Sequence, residues 1–210
     1  MFANRSDAGD RLAAELEDRG VEADVVLGIP RGALPVARPV ADVLGTDLDV
    51  VVARKLGAPS NPELAIGAVA SDGSVWLNDD LVDRLGVSES YLEDVREREA
   101  ANARQKADRY RGTDTLPELA DERVVVVDDG VATGATAIAC LRQVREADAE
   151  RVVLAVPVGP PDTIAALESE ADTVIALITP ESFRAVGQFY REFGQVTDEE
   201  AISYLEDGAS

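Results

Sequence analysis

Asp128 and Asp129 stand side by side after an unbroken run of four valines, Val124 to Val127, and are followed by Gly130, Val131, Ala132, Thr133, Gly134, Ala135 and Thr136. Two carboxylates at a strand tip can accept hydrogen bonds from the vicinal hydroxyls of a sugar and can stabilise positive charge developing on its ring. The Gly/Thr stretch lets backbone N–H groups approach a phosphate, with the hydroxyls of Thr133 and Thr136 as further donors. An apolar period at Ile138, Leu141 and Val144 places a helix N-terminus directly behind that loop. Strand, acidic pair, Gly/Thr loop and helix together read as a sugar-plus-phosphate site at the carboxyl end of a strand, where open α/β sheets bind ligands. The dipeptide alone says little in an acidic chain, since Asp79-Asp80 repeats it without the valine strand or the loop. No lysine lies between Gly130 and Thr136, which excludes the triphosphate-binding pattern Gly-x-x-x-x-Gly-Lys-Ser/Thr and favours a terminal monophosphate.

The elements that must carry this site follow from periodicity. Four consecutive valines predict a strand buried on both faces, at the centre of a parallel sheet. Further apolar runs at Asp24 to Ile29, Leu48 to Ala53, Arg151 to Val158 and Asp172 to Ile178 bring the candidate strands to five. Leu12, Ala13 and Leu16 mark a covering helix that stops at Gly20, and Leu34, Val36, Val40, Val43 and Leu44 mark a second, in which Pro39 predicts a kink or restart. The Gly/Pro/Ser/Asn-rich stretch from Leu56 to Ile66 predicts a mobile loop at the mouth of the sheet, and Gly67 to Leu77 a hairpin turning at Asp72-Gly73. Ser88 caps a long helix reaching about Tyr110, whose Arg96, Arg98, Arg104, Lys106, Arg109 and Arg111 alternate with acids as a solvated, ion-paired face. A helix begins near Pro160-Pro161, and Thr197 with Glu200 forms a capping box for a last helix through Leu205. The expected architecture is an α/β fold with a five-stranded, mostly parallel sheet flanked by helices. One domain is expected over residues 1–210, with a hairpin and long-helix insertion at about 67–118 and a C-terminal cap at about 179–210.

Composition narrows the chemistry. There is no histidine, which excludes Ser/His/Asp hydrolysis and His-based zinc sites, and Cys140 is the single cysteine, so no internal disulfide forms. The formal charge of −21, from 41 acidic against 20 basic residues, makes nucleic acid and anionic membranes poor partners. With only two lysines, Lys55 and Lys106, the surface fits a halophilic protein whose self-repulsion salt screens. No secretory leader or run of about 18 apolar residues is present, so a cytoplasmic protein is expected.

The segment Val124 to Thr136 closely resembles the phosphoribosyl-pyrophosphate signature of the type I phosphoribosyltransferases. Gly28-Ile-Pro-Arg-Gly32 resembles that family's pyrophosphate loop, and Arg54-Lys55 stands where family members often carry basic residues. The whole chain is similar to a branch usually called the predicted phosphoribosyltransferases, including Lys55-Leu-Gly-Ala-Pro and Ala185-Val-Gly-Gln-Phe-Tyr190. The resemblance implies that Asp128 and Asp129 hold the ribose hydroxyls and, directly or through water, Mg2+, and that residues 130–136 hold the 5-phosphate. It further implies that Pro30, Arg31 and Gly32 with Arg54 and Lys55 bind pyrophosphate. The implied reaction is displacement of pyrophosphate from C1 of 5-phosphoribosyl 1-pyrophosphate by a nucleobase-like acceptor, in a homodimer. Ala132 departs from the acid that hypoxanthine and guanine transferases generally carry there, which leaves the base unnamed. Phe183, Phe189 and Tyr190, in a cluster that also holds Phe193, are candidates for the acceptor pocket or for a core seal under the last helix. Two other readings use the same residues: a non-catalytic sensor of phosphoribosyl pyrophosphate or nucleotides, and an enzyme acting on another ribose phosphate.

Overall fold

The structure is a computed structural model and describes residues 1–206. Its main sheet contains β1 (Val25–Gly28), β2 (Asp47–Val50), β6 (Arg123–Val127), β7 (Arg151–Val158) and β8 (Thr173–Ile178), in the order β2-β1-β6-β7-β8. Every neighbouring pair is parallel. The valine strand is central because both of its faces are covered. Val125 and Val127 pack with α1 (Arg5–Asp18) and α2 (Leu34–Leu44), whereas Val124 and Val126 pack with α5 (Ala135–Glu146) through Ile138, Leu141 and Val144. Side chains alternate sides along a strand, so burial on both faces leaves no position for a polar residue, and the run is continuous. Removing one such side chain from water is worth roughly 1.5–3 kcal/mol.

Strand order fixes where a ligand can enter. From β1 the chain moves outward through α2 to β2, then returns to the other side of β1 as β6. The order therefore reverses between β1 and β6, and the crevice beyond their carboxyl ends is the switch point of the sheet. Gly28 is in register with Val127, so the loop 29–33 and the acidic pair 128–129 leave the sheet side by side.

A second, antiparallel sheet is made of β3 (Ala53–Ala58), β4 (Asn61–Ala70) and β5 (Val75–Leu77), followed by α3 (Asp79–Leu85) and α4 (Glu89–Arg111). Two expectations change here. The apolar run from Leu48 to Ala53 is two elements: Val50 ends β2, Val51 donates to Gly28 O at 3.1 Å, and Ala53 opens β3. Continuous burial hides this junction, because Val51 and Val52 are buried without belonging to either strand. Residues 56–66, expected as a loop, form most of the β3–β4 hairpin, with register irregularities at Leu56/Gly57 and Gly57/Ala58. Its glycine and proline sit at those bulges and at an edge, which sheets tolerate. The hairpin at Asp72-Gly73 and the Ser88 cap occur as expected, the Ser88 hydroxyl accepting from Tyr91 N–H.

α2 continues through Pro39 to Leu44. The long helix α4 is less solvated than its charge pattern suggests. Ala103, Ala107 and Tyr110 are buried on the β2 side of the core, and Arg111, 9% exposed at its side chain, bonds to Asp49 and to the carbonyls of Val50 and Thr115. α6 (Pro161–Leu167) joins β7 to β8, and a 3₁₀ turn (Val186–Phe189) leads toward α7 (Asp198–Glu206). The expected capping box closes α7: Thr197 N–H donates to Glu200 Oε2 at 2.7 Å, and Glu200 N–H to Thr197 Oγ1 at 3.1 Å.

Candidate active site

At the switch point Asp129 is held on three sides. Its Oδ2 accepts from Arg5 Nε at 2.7 Å, its carbonyl from the Tyr190 hydroxyl at 2.6 Å, and its own N–H donates to Asp128 Oδ1 at 2.8 Å. Arg5 is steadied in turn by Gly194 O at 2.7 Å and by the Phe193 ring, whose centroid lies 3.7 Å from the guanidinium carbon. The loop after β1 closes on the same acid. A Cβ added at Gly32 would lie 2.2 Å from Asp129 Oδ2, so only glycine lets this backbone approach.

The stretch after the acids leaves its donors free. Val131 N–H bonds to Val158 O at 2.9 Å and Thr163 Oγ1 donates to Ala132 O at 2.7 Å, which pins the loop from behind. Gly134 has φ +76° as the residue preceding α5, and α5 has no side-chain cap. Among the described residues, none of the N–H groups of 132–137 and neither hydroxyl of Thr133 and Thr136 finds an acceptor or donor partner. A row of unpaired N–H groups at the positive end of a twelve-residue helix suits a dianionic phosphate.

Across the crevice is a cleft of about 790 Å³ lined by Arg31, Arg54, Lys106 and Arg109 with Tyr110 and Asp198. Lys106 Nζ donates to Pro30 O at 2.6 Å, which ties α4 to the loop after β1. Asp198, in the first turn of α7, accepts from Arg109 and Tyr110 and lies 3.5 Å from Arg31. Arg54 reaches Glu99 at 3.4 Å.

An acidic pair, an uncapped Gly/Thr loop and a cationic cleft thus meet at one switch point, and residues 3–193 match the family model described as phosphoribosyl transferase domain. The chain belongs to the phosphoribosyl transferase domain family. Relatives in two strains of Mycobacterium tuberculosis, provisionally named phosphoribosyl transferases, are 45% identical over 207 residues, 98% of this chain. This chain spans 46% of those proteins, about half their length. The crystal structure of TT1426 from Thermus thermophilus is 44% identical, with a TM-score of 0.83 and full coverage of both chains. A purine phosphoribosyltransferase from Pyrococcus horikoshii shares the fold at 18% identity and a TM-score of 0.50, covering 92% of each chain.

In this phosphoribosyl transferase domain the acids carry unusual charge. Burial, then the neighbouring Asp129, pushes the Asp128 carboxyl well above the usual range, against the opposing pull of Lys55 and Lys106. Burial likewise raises Asp129, while Arg5 pulls it back. Burial keeps the Tyr190 phenol neutral, with the Asp129 charge adding to the effect, so it is a donor to the Asp129 carbonyl.

The structure brings Asp128, Asp129, residues 130–136, Pro30, Arg31 and Gly32 to one crevice. Arg54 lines the adjoining cleft, but from β3 of the second sheet, and exposed Lys55 is close enough for its charge to act on Asp128. The aromatics divide. Phe183 and Phe189 pair at 5.4 Å on the half-buried surface of the C-terminal segment. Tyr190, 5% exposed, packs on Phe2 at 5.3 Å, where the segment before α1 is joined to residues 189–191 by Phe2 N–H to Phe189 O and Arg191 N–H to Phe2 O. Three contributors escape sequence reasoning. Arg5 carries no local signal, being one arginine in a charged helix, and Asp198 is one acid among 41. Charge alternation predicts a solvated face for Lys106, yet in a chain with two lysines its type is itself a signal.

Proposed function

We propose that this domain transfers the 5-phosphoribosyl group of 5-phosphoribosyl 1-pyrophosphate to a nucleobase-like acceptor. The observation that carries this reading is the approach of Gly32 to Asp129, which supports a loop that would bind pyrophosphate beside carboxylates that would hold the ribose. The 5-phosphate would sit on the free N–H groups of residues 132–137, fixing the sugar's depth. Asp128 and Asp129 would accept from the 2′- and 3′-hydroxyls, and Arg31, Arg54 and Lys55 would take the pyrophosphate. The C1–O bond to pyrophosphate breaks as the bond from C1 to the acceptor nitrogen forms, and the acceptor's proton passes to solvent. In the oxocarbenium-like transition state, the ionised carboxylate of buried Asp128 would lie near the positive charge developing on the ring. Homodimerisation, a cytoplasmic setting and high-salt adaptation belong to the same reading.

The donor set fits Mg2+ as a substrate-borne ion. Among the described residues no group of three acidic, histidine or cysteine side chains could hold a metal, so the protein would supply Asp128 and Asp129 and the substrate the remaining oxygens. When bound, Mg2+ would neutralise pyrophosphate charge. Incubation with phosphoribosyl pyrophosphate, Mg2+ and a panel of bases in high salt should release pyrophosphate with at least one base. Binding without release for every base would instead support a sensor, and absence of binding would overturn the reading.

A further inference from the structure

Both lysines lack a carboxylate within 4.0 Å among the described residues, although acids outnumber basic residues 41 to 20. For exposed Lys55 this is ordinary. Lys106 is half-buried, and its one hydrogen bond goes to a neutral carbonyl, Pro30 O at 2.6 Å. An ammonium has three N–H donors, so two remain for the cleft that Lys106 lines. A half-buried cation without a paired acid is poorly compensated, and here it stands near Arg54 and Arg31.

We propose that Lys106 is a positioning residue for pyrophosphate: its ammonium holds the Pro30 carbonyl, sets Arg31 and Gly32, and turns its two free donors toward the departing anion. This rests on the transferase reading and adds a residue from the inserted helix α4 to it. The geometry serves two ends at once. The bond to Pro30 fixes the loop whose Gly32 abuts Asp129, and the free donors complete a cluster with Arg31 and Arg54.

The charge state of Lys106 is open to pH. Burial, then Arg54 and Arg31, lowers its pKa to about 8, while Cys140 and Asp198 pull the other way. From its own helix Asp108, Arg109 and Tyr110 share the cleft, and Asp128 senses its charge from the end of β6. An anion favours the protonated form, so pyrophosphate affinity should fall as pH rises through about 8.

The test titrates inorganic pyrophosphate, with MgCl2, into the whole chain by calorimetry from pH 6.5 to 9.5, for the native protein, Lys106→Arg and Lys106→Gln. Taking the ratio of native to Lys106→Arg affinity removes the anion's own titration. The expected results are at least a tenfold loss in Lys106→Gln at pH 7, near-native binding by Lys106→Arg below pH 8, and a ratio falling several-fold between pH 8 and 9. Thermal melts of each variant establish that it is folded, and Lys106→Arg keeps the test intact if Lys106→Gln is not. Native-like binding by folded Lys106→Gln, or a ratio flat with pH, would overturn the role of Lys106 and leave the transferase reading standing. Failure of the native protein to bind either pyrophosphate or phosphoribosyl pyrophosphate would overturn both.

Discussion

The chemical role proposed for Asp128 comes with a folding cost. Its carboxyl is raised in the folded state by burial and by Asp129, so the protonated form is the one that folding favours. That contribution is complete below the ordinary carboxylate value of 3.8 and is lost as pH rises through the folded value. At neutral pH the ionised acid therefore opposes folding. Asp128→Asn should raise the melting temperature, each kcal/mol being worth about 2–4 °C at this size, while turnover falls about a hundredfold, or ~3 kcal/mol of lost transition-state stabilisation. Calorimetric melting beside a pyrophosphate-release assay checks both, and near-full activity in both Asp128→Asn and Asp129→Asn would remove these acids from the mechanism. Arg5 is the complementary case. The Arg5–Asp129 pair is 12% and 14% exposed, and Arg5→Met leaves Asp129 unpaired beside a second acid, at a cost of about 3 kcal/mol in urea unfolding at pH 7.5. The loss should shrink at acidic pH, where the raised Asp129 carboxyl takes up a proton. An equal loss at pH 7.5 and pH 5 would mean that Arg5 acts through its packing on Phe193 and not through charge.

Among the elements, the loop after β1 is positioned both by the Lys106 bond to Pro30 O and by the contact of Gly32 with Asp129. Gly32→Ala would place a methyl group 2.2 Å from Asp129 Oδ2, so either the loop or the acid must move. A displacement near 1 Å at a reacting centre costs about a hundredfold in rate. Gly32→Ala should therefore reduce turnover by roughly that factor. Its melting temperature should change little, since the shift is local and at the surface of the crevice; unchanged turnover would show that the loop has slack. Legibility differs by element for physical reasons. β6 is readable as an unbroken apolar run buried on both faces, and α5 as one helical period against the core. The β3–β4 hairpin is not, because glycine and proline mark loops and bulged edge strands alike. α4 shows its ends through Ser88 and Gly112, but its charge alternation conceals that Lys106 and Arg111 turn inward.

At the scale of the molecule, a charge of −21 on 210 residues creates a self-repulsion that counter-ions relieve. Raising salt from 0.1 to 1 M shortens the screening length from about 10 to about 3 Å, and the melting temperature should rise with KCl over that range. A melting temperature independent of salt would show that the surface acids are already compensated locally. The same field disfavours an anionic substrate everywhere except at the cleft, where Arg31, Arg54, Lys106 and Arg109 outnumber Asp108 and Asp198. Salt and an anionic substrate would thus act on opposite parts of one charge distribution.

The order of local signals determined the class of fold and half of the site. An unbroken valine strand, two acids and a Gly/Thr loop before a helix lie within a short stretch, where chain connectivity alone sets their relative positions. The other half depends on distance in space. Arg5 stands 124 residues from Asp129, Lys106 is 76 residues from Pro30, and Asp198 is 89 residues from Arg109, and no local period links such pairs. Packing decided them: the pairing of Phe2 with Tyr190 brings Arg5 to the acids, and the docking of α4 beside β2 brings Lys106 to the loop.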